Sequence, residues 1–121
     1  FAVVELLQGD FPFISEDDKE LSFFETMSKA KSICKFLQDQ GIQPNDRVGI
    51  CMQNCTNWII VFLAITGHGA TCLPFNSWWT AKELEYGIEH SDVKTLFVDK
   101  KRYENVSNLN VKIITNEKIK F

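Results

Sequence analysis

With 121 residues, the chain has the size at which one domain around one core is expected. A composition of 45% hydrophobic, 12% aromatic and 24% charged residues excludes disorder, collagen-like repetition and low complexity. The formal charge is −3, and the halves carry 5 basic with 9 acidic residues (1–60) and 8 with 7 (61–121), so neither can neutralise a run of phosphates and nucleic acid is excluded as an expected partner.

Phe11–Ile14 and Leu21–Phe23 flank the polar stretch Ser15–Glu20 and predict a short β-hairpin. Its acidic cluster Glu16, Asp17, Asp18 reads as a solvated turn rather than as paired catalytic carboxylates. From Phe24 the period changes: Met27, Ala30, Ile33, Cys34 and Leu37 recur at steps of three and four and share one helical face. Gly41 supplies the left-handed stop. Gln43-Pro44-Asn45-Asp46 is a turn into a strand over Arg47–Met52, and Asn54 or Thr56 can cap the next helix. Trp58–Ile65 is apolar on nearly every face, which predicts a buried helix, ended by Gly67-His68-Gly69.

Ala70–Pro74 is short, apolar and bounded by turn residues, as a buried parallel strand would be. Asn76, Ser77, Trp78 and Trp79 form a loop, and Thr80 with Glu83 makes a capping box that starts a helix over Ala81–His90. Thr95–Val98 is the next strand and Lys100–Val106 a short helix, with Lys100, Lys101 and Arg102 as its solvated start. Val111–Thr115 is a last strand at an unpaired edge. The alternation specifies an α/β fold with right-handed crossovers: a mainly parallel sheet with helices on both faces, preceded by a short β-hairpin.

The longest apolar run, Trp58–Ile65, falls far short of the roughly 20 residues that span a bilayer. No basic stretch followed by a small-residue cleavage site opens the chain, so no signal peptide is visible and a cytoplasmic protein is expected. The first residue is Phe1 rather than Met, which suggests that something upstream has been lost. Cys34, Cys51, Cys55 and Cys72 read as small buried hydrophobes rather than a disulfide framework. Cys51 and Cys55 have no matching second pair, and His68 and His90 lie in unlike contexts, so no metal site is expected. The triplets Asn54-Cys55-Thr56 and Asn105-Val106-Ser107 match a glycosylation pattern by coincidence when no secretory route is visible.

Parallel sheets of this kind bind ligands beyond the carboxyl ends of their strands, here the loops Gln53–Asn57 and Phe75–Trp79. Neither loop has the closely spaced glycines and Lys of a phosphate cradle, and the one GxG, Gly67–Gly69, follows a helix and precedes a strand, the reverse of the dinucleotide fingerprint. No nucleophile elbow is present, and nothing pairs Ser77 with His68 or His90. The tandem Trp78-Trp79 could line an apolar channel, but packing of the loop on the sheet end is the favoured reading.

Seven ordered segments nevertheless carry a signal together. Leu21-Ser22-Phe23-Phe24-Glu25, Gly41-Ile42, Pro44-Asn45-Asp46-Arg47-Val48, Asn54 before Trp58, Ala64–Gly69, Leu73-Pro74-Phe75-Asn76 and Thr80-Ala81-Lys82-Glu83-Leu84 resemble the N-terminal part of the adenylate-forming, or AMP-binding, superfamily over roughly residues 20–100. Asn76-Ser77-Trp78-Trp79-Thr80 with Tyr86-Gly87 is most similar to the acyl-CoA synthetase and fatty-acid-CoA ligase branch, while His68 stands where that family commonly has a small residue. The resemblance implies a parent enzyme that uses ATP and Mg²⁺ to adenylate a fatty or aryl carboxylic acid and then CoA to form the thioester. In the family the phosphate loop and the catalytic lysine lie downstream of the matched region, so no catalytic, cofactor-binding or metal residue transfers to residues 1–121. The expectation is a single unit, an N-terminal subdomain fragment inactive by itself, whose partner is the remainder of the parent enzyme. The alternatives are a complete small α/β module of flavodoxin or receiver type and a degenerate, truncated gene product.

Overall fold

A computed structural model describes residues 11–119 of the chain; the opening at Phe1, with the expectation of a lost upstream piece, lies outside them. Strand β1 (Pro12–Glu16) pairs antiparallel with β2 (Lys19–Ser22), and a register irregularity lies between Pro12 and Ile14. The hairpin is tighter than its polar composition predicts. Ser15, Glu16, Lys19 and Glu20 belong to the ladder, leaving only Asp17 and Asp18 to turn, with Asp17 at φ 54°. Ile14 and Leu21 face the main core, and Glu16 and Lys19 continue that same face of the ribbon at its exposed end.

Helix α1 (Phe23–Asp39) begins at a full capping box: the Glu25 N–H donates to Ser22 Oγ and the Ser22 N–H donates to Glu25 Oε1, 3.1 Å each. Thr26, Met27, Ala30, Ile33 and Leu37 form its buried face, and Gly41 just beyond takes φ 82°. After the Pro44 turn come β3 (Arg47–Cys51), α2 (Thr56–Gly67) and β4 (Thr71–Pro74). Helix α3 (Ala81–Ser91) starts at the predicted Thr80–Glu83 box and stops at Asp92 in the left-handed region. Strand β5 (Thr95–Val98), helix α4 (Lys100–Val106), strand β6 (Lys112–Thr115) and a 3₁₀ turn (Asn116–Lys118) complete the order.

The four strands β4-β3-β5-β6 form one all-parallel sheet. Val48, Ile50 and Phe97 join α1 and α2 in one buried cluster, while Cys51, Leu96 and Val98 join Leu84, Ile88 and Val106 of α3 and α4 in the other. Alternation along β3 and β5 therefore feeds a helical layer on each face, the arrangement a parallel sheet requires.

Four expectations need correction. The cap of α2 is neither Asn54 nor Thr56: Cys55 holds the N-cap position without a side-chain bond, and Glu16, from the hairpin, accepts the Thr56 N–H at 3.0 Å. The helix itself buries one face (Ile60, Val61, Ala64, Ile65) and leaves Ile59 and Phe62 each 36% exposed. A helix apolar all round carries no information about which side will be covered. Strand β4 is not buried, because it is an edge strand: Thr71 and Pro74 are exposed, and Cys72 and Leu73 are half-covered. Finally, Arg102 does not belong to a solvated helix start; it is buried, at 5% exposure.

Candidate functional site

The chain leaves β3 toward β4 on one side and then crosses over to β5 on the other, so the topological switch point lies between β3 and β5 at their carboxyl ends. An α/β sheet opens a ligand crevice at such a point. Here it is closed by the chain's own side chains. Asp99 follows β5 and caps α4, its Oδ1 accepting the Arg102 N–H at 3.0 Å. Its Oδ2 accepts the Gln53 N–H at 2.9 Å and pairs with Arg102 Nη1 at 2.8 Å. Arg102 Nε then donates to the Ser77 carbonyl at 3.1 Å. One ion pair thus ties together the loops that follow β3, β4 and β5.

The loop after β4 is built to pack. The Trp78 N–H donates to Asn76 Oδ1 at 2.9 Å, and Phe75 and Trp79 turn onto the second core cluster. Two glycines make their space. A Cβ on Gly49 of β3 would stand 2.7 Å from the Phe75 ring, and one on Gly87 of α3 would stand 3.0 Å from Trp79. Trp79 therefore packs as expected, whereas Trp78 does not: it is 84% exposed.

The residues considered as chemical candidates are kept apart. Ser77 contributes its carbonyl to Arg102, at the carboxyl edge of the sheet. His68 and His90 end α2 and α3 at the opposite, amino edge, where His68 Nε2 meets the Ile42 carbonyl at 2.6 Å and His90 stacks on Tyr86 with centroids 5.4 Å apart. Among the described residues, no three His, Cys, Asp or Glu side chains converge on a metal-sized position. The four cysteines are free thiols. Burial and the negative charge of Asp99, against a smaller opposing effect of Arg102, push the Cys51 thiol up to about 11, and burial alone takes Cys72 up to about 11. Neither is an activated nucleophile.

Open clefts exist around this edge. One of about 470 Å³ lies between Asn54, Cys55, Trp58 and Ile59, and one of about 390 Å³ is lined by Lys100, Tyr103, Ile113, Thr115, Glu117 and Lys118. Neither contains a glycine-rich backbone cradle, and the described residues do not fit the triphosphate of ATP. Of these residues, Arg102 and Glu16 read as solvated in the sequence, and the close packing against Gly49 and Gly87 had no signal there. Arg102 had one available signal, the Asp-x-x-Arg spacing at the start of a helix.

Comparison with known proteins agrees with the architecture. The sequence model described as "AMP-binding enzyme" matches residues 4–120. The acyl-CoA ligase sidI of Aspergillus fumigatus is 34% identical over 77 residues, covering 64% of this chain and 13% of that protein. A medium/long-chain-fatty-acid–CoA and 3-oxocholest-4-en-26-oate–CoA ligase of Mycobacterium tuberculosis is 29% identical over 92 residues, 76% of this chain and 17% of its own length. Among solved structures, coronafacic acid ligase of Pectobacterium brasiliense superposes with a TM-score of 0.87 at 25% identity, over 96% of this chain and 24% of that one. This chain thus spans less than a fifth of the length of those curated relatives. The membership also answers the flavodoxin and receiver alternative; where a receiver needs clustered strand-end acids, Asp99 here is bonded to Arg102 and to backbone. With the parallel sheet, the filled switch point and a family match over nearly the whole chain, the protein belongs to the AMP-binding enzyme family, among relatives that are acid–CoA ligases.

Proposed function

We propose that this chain is the N-terminal subdomain of an ATP-dependent acid–CoA ligase, and that it is a scaffold piece with no activity of its own. The supporting observation is the family match over residues 4–120 on a chain without a glycine-rich phosphate loop anywhere in its sequence. In the parent, the carboxylate oxygen of a fatty or aryl acid attacks the α phosphorus of Mg²⁺-bound ATP and expels pyrophosphate. The CoA thiolate then attacks the acyl carbon and AMP leaves. Charge developing in both steps must be met by fixed donors, and the described residues offer no set of donors suited to it. What this chain supplies is rigidity: a parallel sheet whose carboxyl-end loops are locked by Asp99 and Arg102. We place the parent in the cytoplasm and the remainder of its polypeptide as this chain's partner.

Carboxylate-dependent exchange of pyrophosphate into ATP, measured on the purified 121-residue chain with a panel of fatty and aryl acids, should stay at the acid-free blank. Exchange above that blank overturns the scaffold reading. The reading frame after Phe121 tests the other half: a Ser/Thr/Gly-rich loop with a Lys is expected, and an immediate stop codon removes the parent.

A further inference from the structure

We propose that the β1–β2 hairpin is a releasable strap on the loop between β3 and α2, latched at its tip by Glu16. This goes beyond the acid–CoA ligase reading and does not depend on it.

The loop Gln53–Asn57, at the carboxyl end of the sheet, is held at both ends by carboxylates from distant parts of the chain. At one end the Gln53 N–H donates to Asp99 Oδ2 at 2.9 Å, and at the other the Thr56 N–H donates to Glu16 Oε1 at 3.0 Å. The two holds are unequal. Asp99 belongs to the strand-end ion pair and its side chain is 17% exposed, whereas Glu16 is exposed and adjoins the Asp17-Asp18 turn. The N–H of a first helical residue has no acceptor within its own helix, and Cys55 at the N-cap makes no side-chain bond, so Thr56 relies on Glu16. A carboxylate suits that position, at the positive end of the helix.

The hairpin itself is lightly held. Ile14 is the only buried residue of β1 and β2, with Leu21 half-covered beside it. A cleft of about 350 Å³ lies between Ile14, Glu16 and Leu21 on one side and Thr56, Asn57 and Ile60 of α2 on the other, so packing across this junction is incomplete. The base of the hairpin is fixed in another way. Ser22 ends β2 and caps α1, the Phe23 N–H donates to the Phe11 carbonyl at 2.9 Å, and Phe13 stacks on Phe23 with centroids 4.4 Å apart. A ribbon anchored at its base, with one buried side chain in its middle and one charged bond at its tip, opens by lifting the tip about Ser22. Two-stranded ribbons are marginal alone, and local opening is easiest in segments with few buried apolar contacts. When the tip lifts, Thr56 loses its acceptor and the α2 end of the loop comes free, while Gln53 stays on Asp99. Asn54, Cys55, Trp58 and Ile59, which line the cleft of about 470 Å³ at the carboxyl edge, straddle that freed junction. The strap therefore governs the shape of this cleft.

Amide hydrogen exchange of the isotope-labelled 121-residue chain, followed at fixed pH through a series of sub-denaturing urea concentrations, tests the strap. In the unaltered chain the Thr56 N–H and the amides of the β1–β2 ladder should exchange through one shared opening with a weak urea dependence. The β3–β5 ladder should exchange more slowly with a steep dependence, and Gln53 should follow that slower group. Ile14→Ala, which leaves the carboxylate in place, should speed the hairpin ladder and Thr56 by one common factor, several-fold. Glu16→Ala should remove the protection of Thr56, and Glu16→Gln, which keeps a carbonyl acceptor, should restore part of it. Thr56 exchanging independently of the hairpin ladder, Thr56 ignoring Ile14→Ala, Gln53 opening with the hairpin, or the hairpin and Thr56 opening only with the whole sheet would each overturn the proposal. The urea series on the unaltered chain decides the matter even if a variant does not fold.

Discussion

Removing Asp99 should damage this protein far more than removing its partner Arg102, although the two form one ion pair. The Asp99 carboxylate serves three donors: the Gln53 N–H, the Arg102 N–H and the Arg102 guanidinium. Asp99→Ala strands all three, including a guanidinium only 6% exposed whose remaining acceptor is the Ser77 carbonyl. A buried pair broken from one side costs about 3–5 kcal/mol, a large share of a total stability of about 5–15 kcal/mol. Arg102→Met keeps much of the side-chain volume and leaves Asp99 two backbone N–H donors, so only the Ser77 carbonyl loses its partner. That is nearer the cost of one or two net hydrogen bonds, about 1–2 kcal/mol. Urea unfolding followed by tryptophan fluorescence and by circular dichroism measures both. With a slope of roughly 1–3 kcal/mol/M, the midpoint of Asp99→Ala should fall below that of Arg102→Met by about 1 M. Equal midpoints, or the reverse order, would refute the view that the carboxylate is the hub of the strand-end network.

Three further outcomes are expected. Gly49→Ala and Gly41→Ala should both destabilise, for different reasons: the first drives a methyl to 2.7 Å from Leu96 Cδ1 and from the Phe75 ring, an overpacking cost of about 1–3 kcal/mol. The second meets open space but sits at φ 82°, a strain of about 1–2 kcal/mol; a Gly41→Asn comparison in the same thermal melts should recover part of it. Thr80→Ala should cost about 1 kcal/mol through loss of the α3 cap, read from the shift in denaturation midpoint. The thiols set an alkaline limit. Cys51 and Cys72 titrate near 11 when folded against an ordinary 9.0, so the unfolded chain releases these protons first. Their contribution to stability is complete below pH 9 and drains away between pH 9 and 11, visible as a falling melting temperature that Cys72→Ser should flatten.

What could be read in advance was local. Thr80 and Glu83 lie three residues apart and announce a helix start without knowledge of the rest, and the short run Thr95–Val98 reads as a strand from its own composition. The identical device at Ser22 and Glu25 was hidden, because Ser22 closes β2 as well as capping α1. Longer-range features have no such signature. Glu16 caps a helix 40 residues away, and Arg102 reaches a carbonyl 25 residues back, so a charge reading by neighbours placed both in water. Edge position is equally silent, since the apolar run of β4 suits a central strand as well as an outer one. For the site, the lack of a phosphate loop was visible in the glycine spacing, whereas the filling of the strand-end crevice depended on strand order, which periodicity does not encode.

The bond from Glu16 to the Thr56 N–H bears on the order of events during folding. The hairpin packs on α1, which follows it directly, but its Glu16 is satisfied only at the first turn of α2, much later in the chain. A two-stranded ribbon is marginal by itself in water, and closing a loop of this length costs entropy before any contact returns it. On a ribosome the β1–β2 pair would therefore stay labile until the Trp58–Ile65 run had been made. Substitutions at Ile14 or Leu21 should then speed unfolding and leave the refolding rate nearly unchanged, so that the segment synthesised earlier than the whole sheet is among the last to settle.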